Sequence, residues 1–214
     1  MTNIFAVYKP VGPTSNDILE DIRRRTGIKK VGHAGTLDPL ASGVLVVAIG
    51  RNATKRLSAE VAKEKEYLAA IRLGEESTTD DAEGEKTKQA IETPPSREQI
   101  QEILPQFVGQ IEQMPPKYSA VKIKGREAYK YARQNQAVIL EPRMVTVKEI
   151  TLVSYAWPDV VLRVVTGPGV YIRSLARDLG RALGVGGYIF ALERTRVGEF
   201  TKDQCVNPDQ ITVR

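Results

Sequence analysis

The segment that most constrains the fold is an unbroken apolar run at residues 44–49, Val-Leu-Val-Val-Ala-Ile. Apolar and polar residues do not alternate in it, so we expect both faces of this strand to be buried. Such a strand needs other structure packed on each side of its sheet. A membrane span would need about 18 apolar residues, many more than this run contains. The run therefore predicts a central strand within a layered, folded domain.

Strands and helices follow one another without the regular alternation of a doubly wound parallel sheet. Runs rich in β-branched and aromatic residues predict strands, and apolar residues at helical spacing predict helices. The predicted strands are residues 4–8, 44–49, 65–73, 144–155, 160–166 and 188–197. The predicted helices are one capped by Thr14 and stopped by Gly27, and those at 53–61, 96–107 and 171–183. This mixture predicts an α+β fold.

The 214 residues carry a net charge of +5, and that charge is unevenly distributed. The acidic segment, residues 75–92, has seven carboxylates against two lysines, which predicts an exposed loop with room for a short hairpin. The basic segment, residues 114–143, has seven cations against two glutamates, with three tyrosines among them. Cations bind phosphates and tyrosine rings stack on bases, so the basic segment is a candidate nucleic-acid surface. A solvated basic helix is the alternative.

Cysteine and histidine each occur once, as Cys205 and His33. A single cysteine cannot form an intramolecular disulfide, and a single histidine leaves few ligands for a transition metal. The N-terminus has no basic region followed by an apolar stretch, so no secretory signal is predicted. These features favour a cytoplasmic protein without a metal site.

A glycine-rich loop at residues 32–43, Gly-His-Ala-Gly-Thr-Leu-Asp-Pro-Leu-Ala-Ser-Gly, leads into the central strand. It lacks the Gly-Lys-Ser/Thr ending of a phosphate loop, and a strand follows where a dinucleotide-binding motif has a helix. Asp38 is a candidate functional carboxylate, although Asp-Pro is also a common turn signal. Arg173 either pairs with such a carboxylate or is a solvated helix residue. His33 is either hydrogen-bonded to structure or substrate, or a catalytic base.

Five blocks of sequence follow one another in order and together cover about residues 4–200. The first block joins Lys9-Pro-Val-Gly-Pro-Thr-Ser-Asn16 to the loop at 32–43. The others are Lys65-Glu-Tyr67 with Arg72-Leu-Gly74, Pro115-Pro-Lys-Tyr-Ser-Ala-Val-Lys122 with Gly125 and Tyr131-Ala-Arg133, Gly169-Val-Tyr-Ile-Arg-Ser174 with Asp178-Leu-Gly180, and Leu192-Glu-Arg-Thr-Arg-Val-Gly198. Taken together, the five blocks resemble the TruB family of tRNA pseudouridine synthases.

The resemblance implies a pseudouridine synthase fold, whose mixed, mostly antiparallel central sheet is flanked by helices and loops. It also implies an activity, the isomerisation of uridine to pseudouridine at position 55 in the T-loop of tRNA. In that reaction the N-glycosidic bond is cleaved, the uracil rotates, and the base is rejoined to ribose through C5. The reaction needs no cofactor and no metal.

Residue roles follow from the same resemblance. Asp38 matches the catalytic nucleophile of the family. Tyr67 matches the tyrosine that stacks on the target uracil, and Arg173 matches the arginine that pairs with the catalytic aspartate. His33, Tyr171 and Leu192 match positions that contact the extruded nucleotide and its neighbours. The basic segment matches an insertion that closes over the T-loop, and its expected RNA backbone contacts are Lys122, Lys124, Arg126 and Lys130.

We expect one pseudouridine synthase catalytic domain over residues 1–214, with the basic insertion at about 114–143 and no C-terminal PUA domain. The expected partner is tRNA, bound through its T-loop and T-stem by a monomer, with no membrane involved. Two alternatives remain open. One is an RNA-binding module that acts as a tRNA-folding chaperone, and the other is a synthase that acts on another RNA.

Overall fold

A computed structural model describes residues 3–119, 121–123, 125–132, 134, 136, 139–207 and 211. The helices in this part of the chain are α1 (Ser15–Thr26), α2 (Arg51–Thr54), α3 (Leu57–Val61), α4 (Arg97–Ile103), α5 (Ala128–Ala132) and α6 (Ile172–Ala182). The strands are β1 (Ile4–Lys9), β2 (Val31–His33), β3 (Ala41–Ile49), β4 (Lys65–Leu73), β5 (Glu75–Ser77), β6 (Lys86–Lys88), β7 (Gly109–Gln113), β8 (Lys122–Ile123), β9 (Arg126–Glu127), β10 (Arg143–Ala156), β11 (Asp159–Thr166), β12 (Gly187–Val197) and β13 (Phe200–Thr201).

The largest sheet has the strand order β1-β3-β12-β4-β11-β10-β7, with β2 beside β3 and β13 beside β12. The pairs β1–β3, β2–β3, β7–β10 and β12–β13 are antiparallel. Strands β3 and β12 are parallel, with Leu192 opposite Ala41 and Arg194 opposite Gly43. The predicted α+β fold with a mixed, mostly antiparallel central sheet is confirmed.

Contacts divide the chain into two compact units. The first unit consists of Met1–Leu68, Val165–Pro168 and Ala191–Arg214, and the second consists of Ala69–Val164 and Gly169–Phe190. Four of the predicted site residues lie in the first unit, namely His33, Asp38, Tyr67 and Leu192. Tyr171 and Arg173 lie in the second.

Helix α1 begins and ends where the sequence predicts. The Thr14 hydroxyl accepts a hydrogen bond from the Asp17 N–H, and the Asp17 carboxylate accepts one from the Thr14 N–H, which completes a capping box. Gly27 ends the helix at φ +70°, a left-handed conformation that costs glycine little.

The core of the first unit forms where α1 packs against the sheet. Its central strand is β3, and every residue from 44 to 49 is fully buried, as the unbroken apolar run predicts. One cluster joins buried residues of α1 with those of β1, β2 and β3: Val7, Ile18, Leu19, Ile22, Val31, Leu45, Val47 and Ile49. This packing holds β3, and with it the end of the glycine-rich loop, in a fixed position.

The acidic segment is an exposed loop only in part. Its ends pair as the short hairpin β5–β6, with Glu75 opposite Lys88. Between these strands, Asp81 is 3% exposed and forms an ion pair with Arg173, while the half-buried Asp80 forms one with Arg177. The prediction of an exposed loop is therefore wrong for these two carboxylates. Each has an arginine partner that offsets the cost of removing its charge from water.

Some short elements differ from the sequence prediction. Residues 53–61, predicted as one helix, form part of α2 and all of α3, two separate short helices. Strand β7, Gly-Gln-Ile-Glu-Gln, has too few apolar residues to be recognised as a strand. It lies at the end of the sheet order and pairs on one side with β10, so its conformation depends on that partner. None of the helices in the described part of the chain has the length and hydropathy that crossing a bilayer requires.

Candidate active site

Asp38 lies in the part of the glycine-rich loop that connects β2 to β3, and neighbouring residues bind the main chain of this loop. The hydroxyl of Ser15, the first residue of α1, accepts a hydrogen bond from the Leu37 N–H at 2.8 Å. The same hydroxyl donates to the Leu37 carbonyl at 3.0 Å. The Gly12 N–H donates to the Pro39 carbonyl at 2.8 Å. Main-chain atoms on both sides of Asp38 are therefore fixed.

A second contact to this loop comes from Lys9, the last residue of β1, whose side chain is fully buried. Its ammonium donates to the carbonyls of Pro10 and Pro13 at 2.8 Å each, and to that of Pro39 at 3.5 Å. Burial lowers the pKa of Lys9, and the negative charge of Asp38 opposes this shift. Because Coulombic attraction is mutual, the Lys9 cation also favours the carboxylate form of Asp38.

A third contact comes from Arg194 on β12, which is 1% exposed. Its guanidinium donates from Nε to the Val44 carbonyl at 2.8 Å and from Nη2 to the Gly35 carbonyl at 3.0 Å. Burial and then the charge of Arg194 lower the pKa of the nearby Lys65 ammonium to about 8. The loop that carries Asp38 is thus bound to three neighbouring elements, and the buried cations around it favour a bound anion.

The other predicted site residues of the first unit lie on strands. Tyr67 is 7% exposed on β4, and Leu192 is 9% exposed on β12, opposite Ala41 at the end of the Asp38 loop. His33 ends β2, and its Nδ1 has no hydrogen-bond partner among the described residues. Burial and then the charge of Arg194 lower the pKa of His33 below its ordinary value of 6.5. The imidazole is therefore neutral at pH 7, which suits a hydrogen bond or a stacking contact better than an ion pair.

In the second unit, Arg173 lies at the start of α6 and is 5% exposed, which excludes a solvated helix arginine. Its Nη1 donates to the Asp81 carboxylate at 3.2 Å and to the Thr79 carbonyl at 3.3 Å, and its Nη2 donates to the Tyr118 carbonyl at 2.8 Å. Its pairing with Asp38 stays a prediction.

Tyr171 immediately precedes α6, and its main chain is bound by the amide of Gln113, a buried residue of β7. The Tyr171 N–H donates to Gln113 Oε1 at 2.8 Å, and Gln113 Nε2 donates to the Tyr171 carbonyl at 3.1 Å. The Tyr171 side chain makes no capping hydrogen bond, and Gln113 instead fixes the main chain of this N-cap residue. Tyr171 and Arg173 thus stand on a helix end that is fixed by a neighbouring strand.

The four predicted RNA backbone contacts stay predictions. Lys122 lies on β8, Arg126 on β9 and Lys130 on α5, which follow one another along the basic segment. Lys124 lies outside the described residues. In the described part of the chain, no three histidine, cysteine, aspartate or glutamate side chains converge as they would at a metal site.

Comparison with protein families gives this arrangement its context. Residues 23–172 match the family model described as TruB family pseudouridylate synthase (N terminal domain). Residues 173–213 match the model described as tRNA pseudouridylate synthase B C-terminal domain. The chain belongs to the TruB family. The family and the enzyme class predicted from the sequence are both confirmed.

Bacterial TruB proteins are similar to this chain along most of its length. A protein named tRNA pseudouridine synthase B from Thermobifida fusca is 45% identical over 216 residues, which cover 97% of this chain and 73% of that protein. A protein of the same name from Parabacteroides distasonis is 44% identical over 209 residues, covering 95% of this chain and 88% of that protein.

Solved structures support the TruB fold. The chain resembles one in the crystal structure of a Cbf5-Nop10-Gar1 complex, with a TM-score of 0.75 and 32% identity over 96% of this chain. It also resembles one in the structure of an H/ACA RNP bound to a substrate RNA containing 2'-deoxyuridine, with a TM-score of 0.72 and 29% identity over 96% of this chain. It spans about half the length of these two solved chains, 52% and 51% respectively. The predicted pseudouridine synthase fold is confirmed.

Proposed function

We propose that this chain isomerises uridine to pseudouridine at position 55 in the T-loop of tRNA, with Asp38 as the nucleophile. The observation that carries the proposal is the position of Asp38 on a loop whose main chain is bound by Ser15, Lys9 and Arg194. Such a loop holds a carboxylate in one place before substrate binds, which lowers the entropic cost of reaching the transition state.

The reaction exchanges one bond for another without a net change in composition. The bond between uracil N1 and ribose C1′ breaks, the base turns within the site, and a bond between C5 and C1′ forms. C5 loses a proton, and N1 gains one. Asp38 either attacks C1′ or the base, or assists glycosidic cleavage through a glycal, and its ionised form serves each route. The buried Lys9 favours that ionised form.

The substrate must leave its loop to reach Asp38, and the other predicted residues suit a flipped base. Extruding a nucleotide costs a few kcal/mol, and stacking on an aromatic ring offsets part of that cost. Tyr67 would supply the ring, while the neutral His33, Leu192 and Tyr171 would contact the extruded nucleotide and its neighbours. Arg173 would pair with Asp38 and help to keep it charged in a site from which water is excluded.

The partner we propose is tRNA, bound through its T-loop and T-stem by a monomer, and the enzyme would act in the cytoplasm, where tRNA is found. One catalytic domain over residues 1–214, with the basic insertion at about 114–143, is also part of this proposal. The relatives named tRNA pseudouridine synthase B support the substrate class.

The activity is tested by mapping pseudouridine in RNA treated with the purified chain. We expect unmodified tRNA transcripts to gain one pseudouridine, at position 55, and a transcript with cytidine at that position to gain none. Total RNA from cells with and without the gene serves as the wider screen. Pseudouridine at other RNA sites alone would favour a synthase with a different substrate, and unchanged RNA in both assays would contradict the proposal.

The RNA-binding role of the basic segment is tested through salt dependence. Each phosphate contact contributes about 0.7 to 0.9 log units of affinity loss per tenfold increase in salt. We expect the slope to flatten when four cations of the segment are changed to serine: Lys122, Lys124, Arg126 and Lys130. The matched control changes four exposed cations elsewhere to serine, which removes the same charge: Lys88, Arg97, Lys148 and Lys202. Equal slopes in the two variants would place the RNA on another surface.

A further inference from the structure

The root segment, residues 113–118, contains the first residues of the basic segment and is hydrogen-bonded along α6. Gln113 binds both main-chain groups of Tyr171. One turn further along the helix, the Ser174 hydroxyl donates to the Met114 carbonyl at 2.8 Å. Arg173 donates to the Tyr118 carbonyl, at the far end of the root segment. The start of the proposed RNA-binding surface is therefore fixed on the helix that carries two predicted substrate contacts.

Arg177, further along α6, also donates a hydrogen bond to the root segment. Its Nη2 donates to the Met114 carbonyl at 2.9 Å, the same carbonyl that Ser174 binds. Its Nη1 binds the Asp80 carboxylate at 2.9 Å, and its Nε binds Asp178 at 2.9 Å. The side chain of Arg177 is 11% exposed, so its guanidinium is engaged within the protein and is poorly placed to bind RNA phosphates directly.

The main chain of Asp80 is fixed by its conformation and by two hydrogen bonds. It has φ +60°, a left-handed conformation that is uncommon outside glycine but is tolerated by aspartate and asparagine. Its N–H donates to the Ser77 carbonyl at 3.1 Å, and its carbonyl accepts from the Ile189 N–H at 3.2 Å. The side chain is 14% exposed and points to Arg177. Asp80 thus presents a fixed carboxylate against which the arginine is oriented.

We propose that Arg177, oriented by Asp80, is a positioning residue that holds the root segment on α6 in readiness for RNA. A segment that is ordered in advance loses less conformational entropy on binding, so this contact acts on RNA affinity more than on bond rearrangement. The inference rests on the proposed function, because it assumes that the basic segment meets RNA. It adds a role for two residues that touch neither the substrate base nor, on this account, the RNA backbone.

The test is Arg177→Gln, assayed for binding and for turnover. We expect the Kd for a T-arm RNA to rise about tenfold, because the Met114 carbonyl loses its charged donor and the root segment loosens. The single-turnover rate at saturating RNA should stay within about twofold of wild type, since Asp38 and Arg173 are unchanged. A purely structural role would instead lower the active fraction and leave Kd unaltered. Kd is measured without turnover, so it tests the contact even if wild type forms no pseudouridine, which would contradict the proposed function alone.

Two further variants separate position from charge. Arg181→Gln removes the same charge from the same helix, at a side chain that is 62% exposed, and should leave Kd unchanged. Asp80→Asn should raise Kd, and adding it to Arg177→Gln should raise Kd no further, because Asp80 acts through Arg177. If Arg177→Gln does not fold, Asp80→Asn with the Arg181→Gln control decides the question. Equal effects of Arg177→Gln and Arg181→Gln, or an unchanged Kd in Asp80→Asn, would overturn the proposal.

Discussion

Replacing Asp38 with asparagine is expected to abolish pseudouridine formation while tRNA still binds. Asparagine has nearly the same shape as aspartate but cannot act as an anionic nucleophile, so we expect the single-turnover rate to fall by at least about a thousandfold. The loop itself should be preserved, because Ser15, Lys9 and Arg194 bind main-chain atoms of the loop, and the substitution leaves those atoms in place. The measurements are pseudouridine formed at saturating enzyme and the Kd for the same tRNA.

The control for this variant is Thr36→Ser in the same loop, at an exposed residue, which should keep the wild-type rate. Retained turnover in Asp38→Asn would remove the nucleophile assignment. The same variant tests the alternative of a tRNA-folding chaperone. If the chain acts by folding tRNA and not by modifying it, Asp38→Asn should rescue tRNA folding as well as wild type does. Thermal unfolding of both variants shows whether any loss reflects the chemistry or the fold.

Replacing Gly43 with alanine is expected to prevent stable folding. The residue has φ +110°, and a Cβ at this position would lie 2.2 Å from the Arg194 carbonyl oxygen and 2.7 Å from its nitrogen. Both are main-chain atoms of the parallel neighbour β12, so no side-chain rotation relieves the clash. Strands β3 and β12 would have to separate where they support the Asp38 loop. We expect a loss of more than about 3 kcal/mol in the free energy of unfolding, visible as aggregation or a large fall in Tm.

The matched control is Gly12→Ala. Gly12 has nearly the same conformation, φ +107°, but a Cβ there would meet nothing within 4 Å. The alanine therefore carries only the backbone strain of a left-handed residue, about 1–2 kcal/mol. A Tm for Gly43→Ala as high as that of Gly12→Ala would show that the two strands accommodate the methyl group and would contradict the steric argument.

Local sequence patterns predict part of this molecule well. The capping box at Thr14 and the glycine stop at Gly27 depend on neighbouring residues, and so does the burial of the apolar run at 44–49. Asp38 is recognisable as a candidate functional residue because the glycines and the proline around it are close in the sequence. The family resemblance adds the expected role of Tyr67, which no local pattern indicates. For Arg173, whose local pattern left pairing with a carboxylate and a solvated helix residue equally open, it favours the pairing.

Buried charges are what the sequence fails to predict. Lys9, Arg194 and Asp81 belong to residue types that are usually exposed. Lys9 and Arg194 are buried because they donate hydrogen bonds to main-chain carbonyls, and Asp81 is buried because it pairs with an arginine distant in the chain. Asp81 lies in an acidic run that suggests solvent, whereas its partner Arg173 is 92 positions away. In the sequence, the burial of Lys9 is indicated by its position at the end of an apolar strand, and that of Arg194 by its position within a strand.

The manner in which the Asp38 loop is held has a consequence for how its sequence can vary. Its supports bind the carbonyls of Gly35, Leu37 and Pro39, which are groups that every residue type possesses. Mutational tolerance should therefore be greatest within the loop at Thr36, whose exposed side chain takes no part in these contacts. It should be least at the distant supports. An engineer who wished to reshape the rim of this site could diversify that one position while the nucleophile kept its place.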